Sequence, residues 1–382
     1  MKTDFIESLM LPEWLLHFAL PMHQQDHKRA GVMRQMRPIV IGSILLLALS
    51  VLGCKRSSAP EGLLVSVFPQ ETVVSLRESD SGVVLLDTSA AIGNVSKVML
   101  ADEELLLWAD KSVRAFDAVT GEFVRQYSMQ GRAENEYVSL WDVWCDDESV
   151  SLYDFNSKKI LRYAISGQLL ENVDLHDRDV PFQTLARLDD QVFVGRRVFG
   201  MEAIPELALF DETYRYVSDL GSGQLKSGVQ LNYPFCGVEG KAGTVLYNPY
   251  FFHKIYEITR KTMRTKYSVH FVDRTSPDIE DFKDEYEILE LLQKVGTDST
   301  FAAMMTNLYE SEKFFCFSFV SSGKKLFEIY DKHAASSKTV YFRSDDGEVL
   351  DMISSQGRVL VLFQTNSHTG FKEFRLADLM GA

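Results

Sequence analysis

The chain is poor in the residues that carry metal and redox chemistry. Its 382 residues include four cysteines, Cys54, Cys145, Cys236 and Cys316, with no Cys-x-x-Cys pair and no histidine at ligand spacing. That pattern speaks against a zinc site and against a disulfide framework. With Cys54 set aside, the other three read as buried small hydrophobes. Beyond residue 53 there are five histidines, His176, His253, His270, His333 and His368, too scattered for spacing to gather them. No Gly-x-Ser-x-Gly elbow marks a serine nucleophile, and no EF-hand spacing marks calcium. The expectation is therefore no metal and no cofactor. Basic runs are lacking too. The net charge is −14, and the first 53 residues hold five Lys/Arg against four Asp/Glu, so the remainder carries −15. Such an excess of carboxylates repels a polyanion, and nucleic acid is not expected as a partner.

Long apolar runs are also missing, with one instructive exception. From Met33 the chain reads MRQMRPIVIGSILLLALSVLGCKRSS: Arg34 and Arg37, then an apolar stretch from Ile39 to Leu52, then Gly53 and Cys54. The stretch falls short of the ~20 residues that span a bilayer, so a plain transmembrane anchor fits less well than a secretory signal. Its end, Val51-Leu52-Gly53-Cys54, resembles a bacterial lipobox, which implies lipidation of Cys54 and a membrane partner through that lipid. Residues 1–32 contain Asp4, Glu7 and Glu13, which no export signal requires; they read as a mis-assigned start, with Met33 or Met36 the true one, or as a disordered extension. Residues 33–53 are then the signal, 54–70 a tether and 71–382 the folded domain.

What the mature chain does have is aromatic residues, 25 Phe and 15 Tyr, and a repeat. Four segments, beginning at Glu104, Ser149, Thr244 and Phe314, share a layout: an alternating strand, a polar turn, a second strand, a turn and a third strand. Aligning the large apolar residue near the end of the middle strand picks out Phe116, Tyr163, Phe210 and Ile258, spaced 47, 47 and 48; the next equivalent, Ile329, lies 71 further on. Periods of roughly 40 to 50 residues with four short strands each are the mark of propeller blades. We expect an all-β, six-bladed β-propeller with blades near 95–130, 137–177, 182–221, 233–272, 301–343 and 348–377. The last has room for three strands only, and Gly82 to Asp87 supplies the fourth, closing the ring from the N-terminal side. An extra stretch around 273–300, with Phe282, Tyr286 and Leu289 near helical spacing, predicts one helical insert. A solenoid would need polar caps that are not found.

The signal ending in Cys54, the 47-residue repeat and the segment Gly131-Arg132-Ala133-Glu134-Asn135-Glu136-Tyr137 make the chain similar to the six-bladed β-propeller lipoproteins of Bacteroidetes, with TolB-like or NHL-like blades. In that family the segment looks like Gly-x-Gly-Pro-Gly-Glu-Tyr; here Gly131, Glu136 and Tyr137 fit it. The resemblance implies architecture and a cell-envelope address at the outer membrane, its members mostly having no assigned reaction. Surface-exported lipoproteins of that phylum carry acidic residues after the cysteine, whereas Lys55 and Arg56 follow here, which favours the periplasmic side.

Candidate chemistry is sparse. Arg132, Glu134, Glu136 and Tyr137 sit where a loop rings the channel and can contact a ligand, and Tyr233 ends a second linker of the same kind. Turn chemistry alone also accounts for them, with Glu capping backbone amides. The pairs Asp146-Asp147, Asp189-Asp190 and Asp345-Asp346 read as turn residues. Trp141, Trp144, Tyr247, Tyr250, Phe251 and Phe252 suit core packing before sugar stacking. Two readings follow: a non-enzymatic binding or scaffold lipoprotein for protein, peptide or glycan, and second, a propeller-type hydrolase or lyase acting on carbohydrate or lactone. Replacing Cys54 by Ser is expected to abolish incorporation of labelled fatty acid and leave an unprocessed precursor; continued labelling of Cys54→Ser would remove the lipobox from the argument.

Overall fold

The computed structural model describes residues 62–89, 92–101, 103–146, 148–178, 182–197, 205–224, 235–248, 253–276 and 285–381. Strands β1 (Leu63–Val67), β2 (Glu71–Leu76) and β3 (Val83–Leu85) come first. Blade one follows as β4 (Val95–Ala101), β5 (Glu104–Ala109), β6 (Ser112–Asp117) and β7 (Phe123–Tyr127); blade two is β8 (Leu140–Cys145), β9 (Ser149–Asp154), β10 (Lys159–Ala164) and β11 (Leu169–Asp174). Blade three is β12 (Phe182–Asp189), β13 (Val192–Arg197), β14 (Pro205–Asp211) and β15 (Tyr216–Gln224), and blade four is β16 (Phe235–Gly237), β17 (Val245–Tyr247), β18 (Lys254–Ile258) and β19 (Met263–Phe271). Blade five is β20 (Ala303–Glu310), β21 (Phe314–Ser321), β22 (Lys324–Asp331) and β23 (Ser336–Ser344), and blade six begins with β24 (Gly347–Ser355), β25 (Arg358–Thr365) and β26 (Thr369–Arg375). The first strands of successive blades touch in cyclic order, β4 to β8, β12, β16, β20, β24 and back to β4. This is a six-bladed β-propeller.

Burial explains the sequence pattern. Second strands are covered on both faces by neighbouring blades: all six residues of β9 and all eight of β21 are buried, and β21 is accordingly apolar on both faces apart from two serines, whereas β9 also buries Ser149, Ser151 and Asp154. Outer strands such as β7 and β11 are mostly exposed and mix polar with apolar residues. The aligned residues Phe116, Tyr163, Phe210, Ile258 and Ile329 all lie on third strands and are buried, filling the wedges between blades. Two-residue turns at Asp110-Lys111, Ser322-Gly323 and Gln356-Gly357 hold φ positive at both positions, the mirror-image turn whose twist matches the strands it joins.

Closure is as expected: β3 completes blade six, with Val83 opposite Lys372, Val84 opposite Phe371 and Leu85 opposite Gly370. The turn before β7 passes so close that a Cβ at Gly121, where φ is +77°, would fall 2.1 Å from the Leu85 carbonyl oxygen. Only glycine fits there.

The expected tether, 54–70, is corrected at its far end. Residues 63–67 form β1, which adds in parallel to β19 as a fifth strand of blade four, and β2 adds in parallel to β23 as a fifth strand of blade five. The N-terminal segment is thus a belt that visits the outer edges of blades four, five and six in turn. Its partners lie about two hundred residues or more along the chain, and local pattern carries no trace of such pairings. The expected insert contains the helix Glu285–Thr297, whose Val295 is buried and accepts the Gly323 amide at the tip of blade five. A short C-terminal helix, Leu376–Gly381, buries Leu376 and Leu379 against blades five and six. Among the described residues no helix is long and apolar enough to cross a membrane.

Phe116→Ala is expected to lower unfolding stability by about 3–5 kcal/mol, the usual cost of emptying a buried aromatic site. Val119→Ala, at an exposed position of the same blade, should stay within about 0.5 kcal/mol in the same urea titration.

Candidate functional site

Five of the six first strands are irregular near their start. Their pairing with the second strand slips between Val95 and Lys97, Leu140 and Asp142, Phe182 and Thr184, and Val349 and Asp351, and in β20 between Ala303 and Thr306. A bulge re-aims the side chain that follows it. In all five strands that side chain is polar: Lys97, Asp142, Thr184, Thr306 and Asp351. Because these strands stand side by side around the ring, the bulges set a polar belt between neighbouring blades, near the end where the strands begin.

Part of the belt is cross-braced between blades. Lys97 of blade one donates to Asp142 Oδ1 of blade two at 3.1 Å and to the Val143 carbonyl at 2.5 Å, and Thr184 of blade three donates to Asp142 Oδ2 at 2.5 Å. The Val143 amide adds a third donor to the Asp142 carboxylate at 2.7 Å. On the far side Asn307 of blade five donates to Asp351 of blade six at 3.0 Å, and Lys325 pairs with the same carboxylate. Asn307 sits at positive φ, as its place in a bulge requires. Beside Thr184, the Gln183 amide nitrogen is buried without a hydrogen-bond partner among the described residues. Both carboxylates thus already accept from fixed donors and serve as braces between blades; Asp142 is buried.

The linker singled out in the sequence lies at the same end, between β7 and β8. Glu136 accepts the Ala133 amide at 2.8 Å, the capping role its turn demands. Blade two grips the linker backbone: Lys159 and Asn172 donate to the Glu134 carbonyl at 3.1 and 2.9 Å, and Tyr163 donates to the Asn135 carbonyl at 3.1 Å. Tyr137 is corrected from ligand contact to core: it is 1% exposed and its hydroxyl donates to the Lys111 carbonyl. Arg132 and Glu134 project into solvent. Cys54 and Tyr233 lie outside the described residues, as do Asp147, Tyr250, Phe251 and Phe252.

The remaining candidates stay apart. Asp146 accepts the Glu148 and Ser149 amides, and Asp189 accepts those of Gln191 and Val192, so both serve their turns. Asp345 pairs with Arg77. Trp141 packs on Phe155 with ring centres 4.7 Å apart, and both Trp141 and Trp144 lie against the core between blades two and three. His176 contacts Asp174 and His368 contacts Glu78, in different blades. Cys145, Cys236 and Cys316 are free, the first two only partly buried. Among the described residues no group of three or more His, Cys, Asp or Glu side chains is placed to hold a metal ion.

Sequence reasoning missed the charged seam between blades four and five. Buried Glu257 meets Lys241, Arg264 and Lys266 at 3.0, 2.9 and 2.6 Å. Lys266 also reaches Glu310 at 2.6 Å, which accepts from Lys332 at 3.2 Å and from the Tyr267 hydroxyl at 2.7 Å. Despite burial, the surrounding cations hold the Glu257 carboxyl down at about 2. Glu328 is the opposite case. It is 0% exposed, accepts the Thr339 hydroxyl at 2.5 Å, and burial lifts its carboxyl to about 7 although Ser337 and Arg274 oppose the rise. No spacing motif announces either group, since the partners come from different strands and blades.

Two measurements check these assignments. Asp142→Ala strands the Lys97 ammonium and is expected to cost about 3–5 kcal/mol in urea unfolding, whereas Lys97→Met with Asp142→Leu should recover a large part of it. For Glu328, the folded state keeps a proton that the unfolded state loses near 4.5. Stability relative to Glu328→Gln should therefore fall as pH rises from about 4.5 to about 7, by roughly 3 kcal/mol, and stay level above. A difference independent of pH would rule out titration of this carboxyl.

The fold has solved relatives. A Bacteroides fragilis protein described as exported superposes with a TM-score of 0.63 at 15% identity, covering 82% of this chain and 99% of that one. A Bacteroides vulgatus member of the duf4221 family gives a TM-score of 0.50 at 9% identity over 77% of this chain and 96% of that one. At such identities the likeness is one of fold. No curated protein matches the sequence. The family model described as "Domain of unknown function (DUF4934)" matches residues 83–373, from the closing strand β3 to the end of blade six, and the chain belongs to that family.

Proposed function

We propose that the chain is an exported lipoprotein, anchored through Cys54 at the outer membrane on the periplasmic side, and that it acts as a binding or scaffold propeller for a protein, peptide or glycan of the envelope. The observation that carries this reading is the bracing of one end of the ring. The carboxylates of Asp142 and Asp351 are occupied by lysine, threonine and asparagine donors from neighbouring blades. Beside them, Arg132 and Glu134 stand on a backbone tied down by Lys159, Asn172 and Tyr163. Rigid, pre-oriented polar groups lose little entropy on binding, which favours recognition. The signal and lipobox pattern around Cys54 supports the anchor, the basic pair Lys55-Arg56 supports the periplasmic side, and the Bacteroides fragilis relative described as exported agrees with an envelope address.

Arg132→Ala with Glu134→Ala removes the two projecting side chains without touching the braced backbone. The double variant is expected to keep its unfolding midpoint and to lose partners captured by the wild-type protein after crosslinking in intact cells. An unchanged partner set would sink the proposed face. Turnover of a carbohydrate or lactone, lost in Asp142→Asn, would replace the scaffold reading with an enzymatic one.

A further inference from the structure

The belt formed by β1 and β2 has an outward edge that nothing described covers. Val65, Val67 and Leu76 point into the blades and are buried, while Leu63, Leu64, Phe68 and Val73 are 45%, 48%, 53% and 49% exposed. Other outer strands also expose apolar side chains, Phe123 and Val124 on β7, Leu170 on β11 and Val217 on β15, but this segment carries four within eleven residues and is the one that leads to Cys54. The belt's own charges are offset. Glu71 pairs with Lys324 and Arg77 with Asp345, so no unpaired carboxylate on β2 opposes an anionic surface.

The position of Cys54 decides what lies opposite. Eight residues lie between it and Leu63, nine steps of chain with a reach of at most ~30 Å even fully extended. Resting on the lipid-anchor reading, this tether keeps the rim of blades four and five beside the bilayer at all times, at an effective concentration no soluble partner matches. Lys55 and Arg56 at the root of the tether favour anionic headgroups. We infer that Leu63, Leu64, Phe68 and Val73 form a membrane-contacting rim that dips into the lipid interface, holding the propeller edge-on to the bilayer. Half-exposed leucine, phenylalanine and valine suit that depth: each gains by leaving water, while the open backbone edge of β1 and β2 stays among hydrated headgroups. Edge-on placement leaves both ends of the channel, and with them Arg132 and Glu134, accessible from the aqueous side.

The test uses the full chain, expressed with its signal and reconstituted into phosphatidylethanolamine/phosphatidylglycerol vesicles. Fatty-acid labelling, with Cys54→Ser as control, first establishes the anchor. The indole of Phe68→Trp is then read against the wild-type tryptophan background. Its emission should shift to shorter wavelength and be quenched by brominated lipids, and both effects should vanish when Leu64→Asp and Val73→Asp are added, with circular dichroism unchanged. Labelled protein whose Phe68→Trp emission is indifferent to brominated lipids overturns the rim while leaving the anchor standing. Absence of label in the wild type overturns the anchor reading itself, and the rim with it. A doubling of mass in detergent that Leu64→Asp with Val73→Asp reverses would give the surface to a second copy and likewise overturn the inference.

Discussion

Every blade depends on a short antiparallel contact, three residues of β3 against three of β26. Without it the ring would end in two open sheet edges, and the wedge-shaped apolar faces between blades six and one would meet water. The chain protects this contact locally. Leu86 follows β3 into the core shared by blades six and one, beside Leu360, Leu362 and Phe371. Gly121 lets the neighbouring turn press against the Leu85 carbonyl. The belt strands β1 and β2 then add length to the same closure, tying the outer edges of blades four and five to the segment that seals blade six.

Closure also organises the polar chemistry. Once the first strands are forced into a circle, they come near enough for side chains to bond across blades, and bulges near their starts turn Lys97, Asp142 and Thr184 toward one another and Asp351 toward Asn307. A bulge breaks a ladder, which is a cost, but here it places polar groups where neighbouring blades meet and leaves apolar neighbours such as Val143 in the core. The seam of Glu257, Glu310 and their lysines does similar work between blades four and five, where the first strand β16 is short. Charge pairing there accompanies apolar packing, as the stacking of Tyr267 on Phe315 at 3.9 Å shows.

An export address, a braced propeller end and an apolar rim are consistent with one geometry. The rim would face lipid and the channel ends would face solvent. In the proposed arrangement the rim would serve anchorage and the channel ends recognition.

Much of the fold is legible in the sequence because blade strands pair with their neighbours in the chain. Alternation, turns and the spacing of Phe116, Tyr163, Phe210 and Ile258 are local signals, and the surplus strand before Val95 had one vacancy to fill. The site is less legible. Glu136 could be read as a cap because a cap is local, but Tyr137 carries the same linker signature and turns out to belong to the core. The polar belt, the charged seam and the parallel strands of the N-terminal belt were decided by tertiary structure alone. Their partners come from different blades, Lys97 with Asp142 and Leu64 with Ser268, and only a closed ring brings such residues within bonding distance.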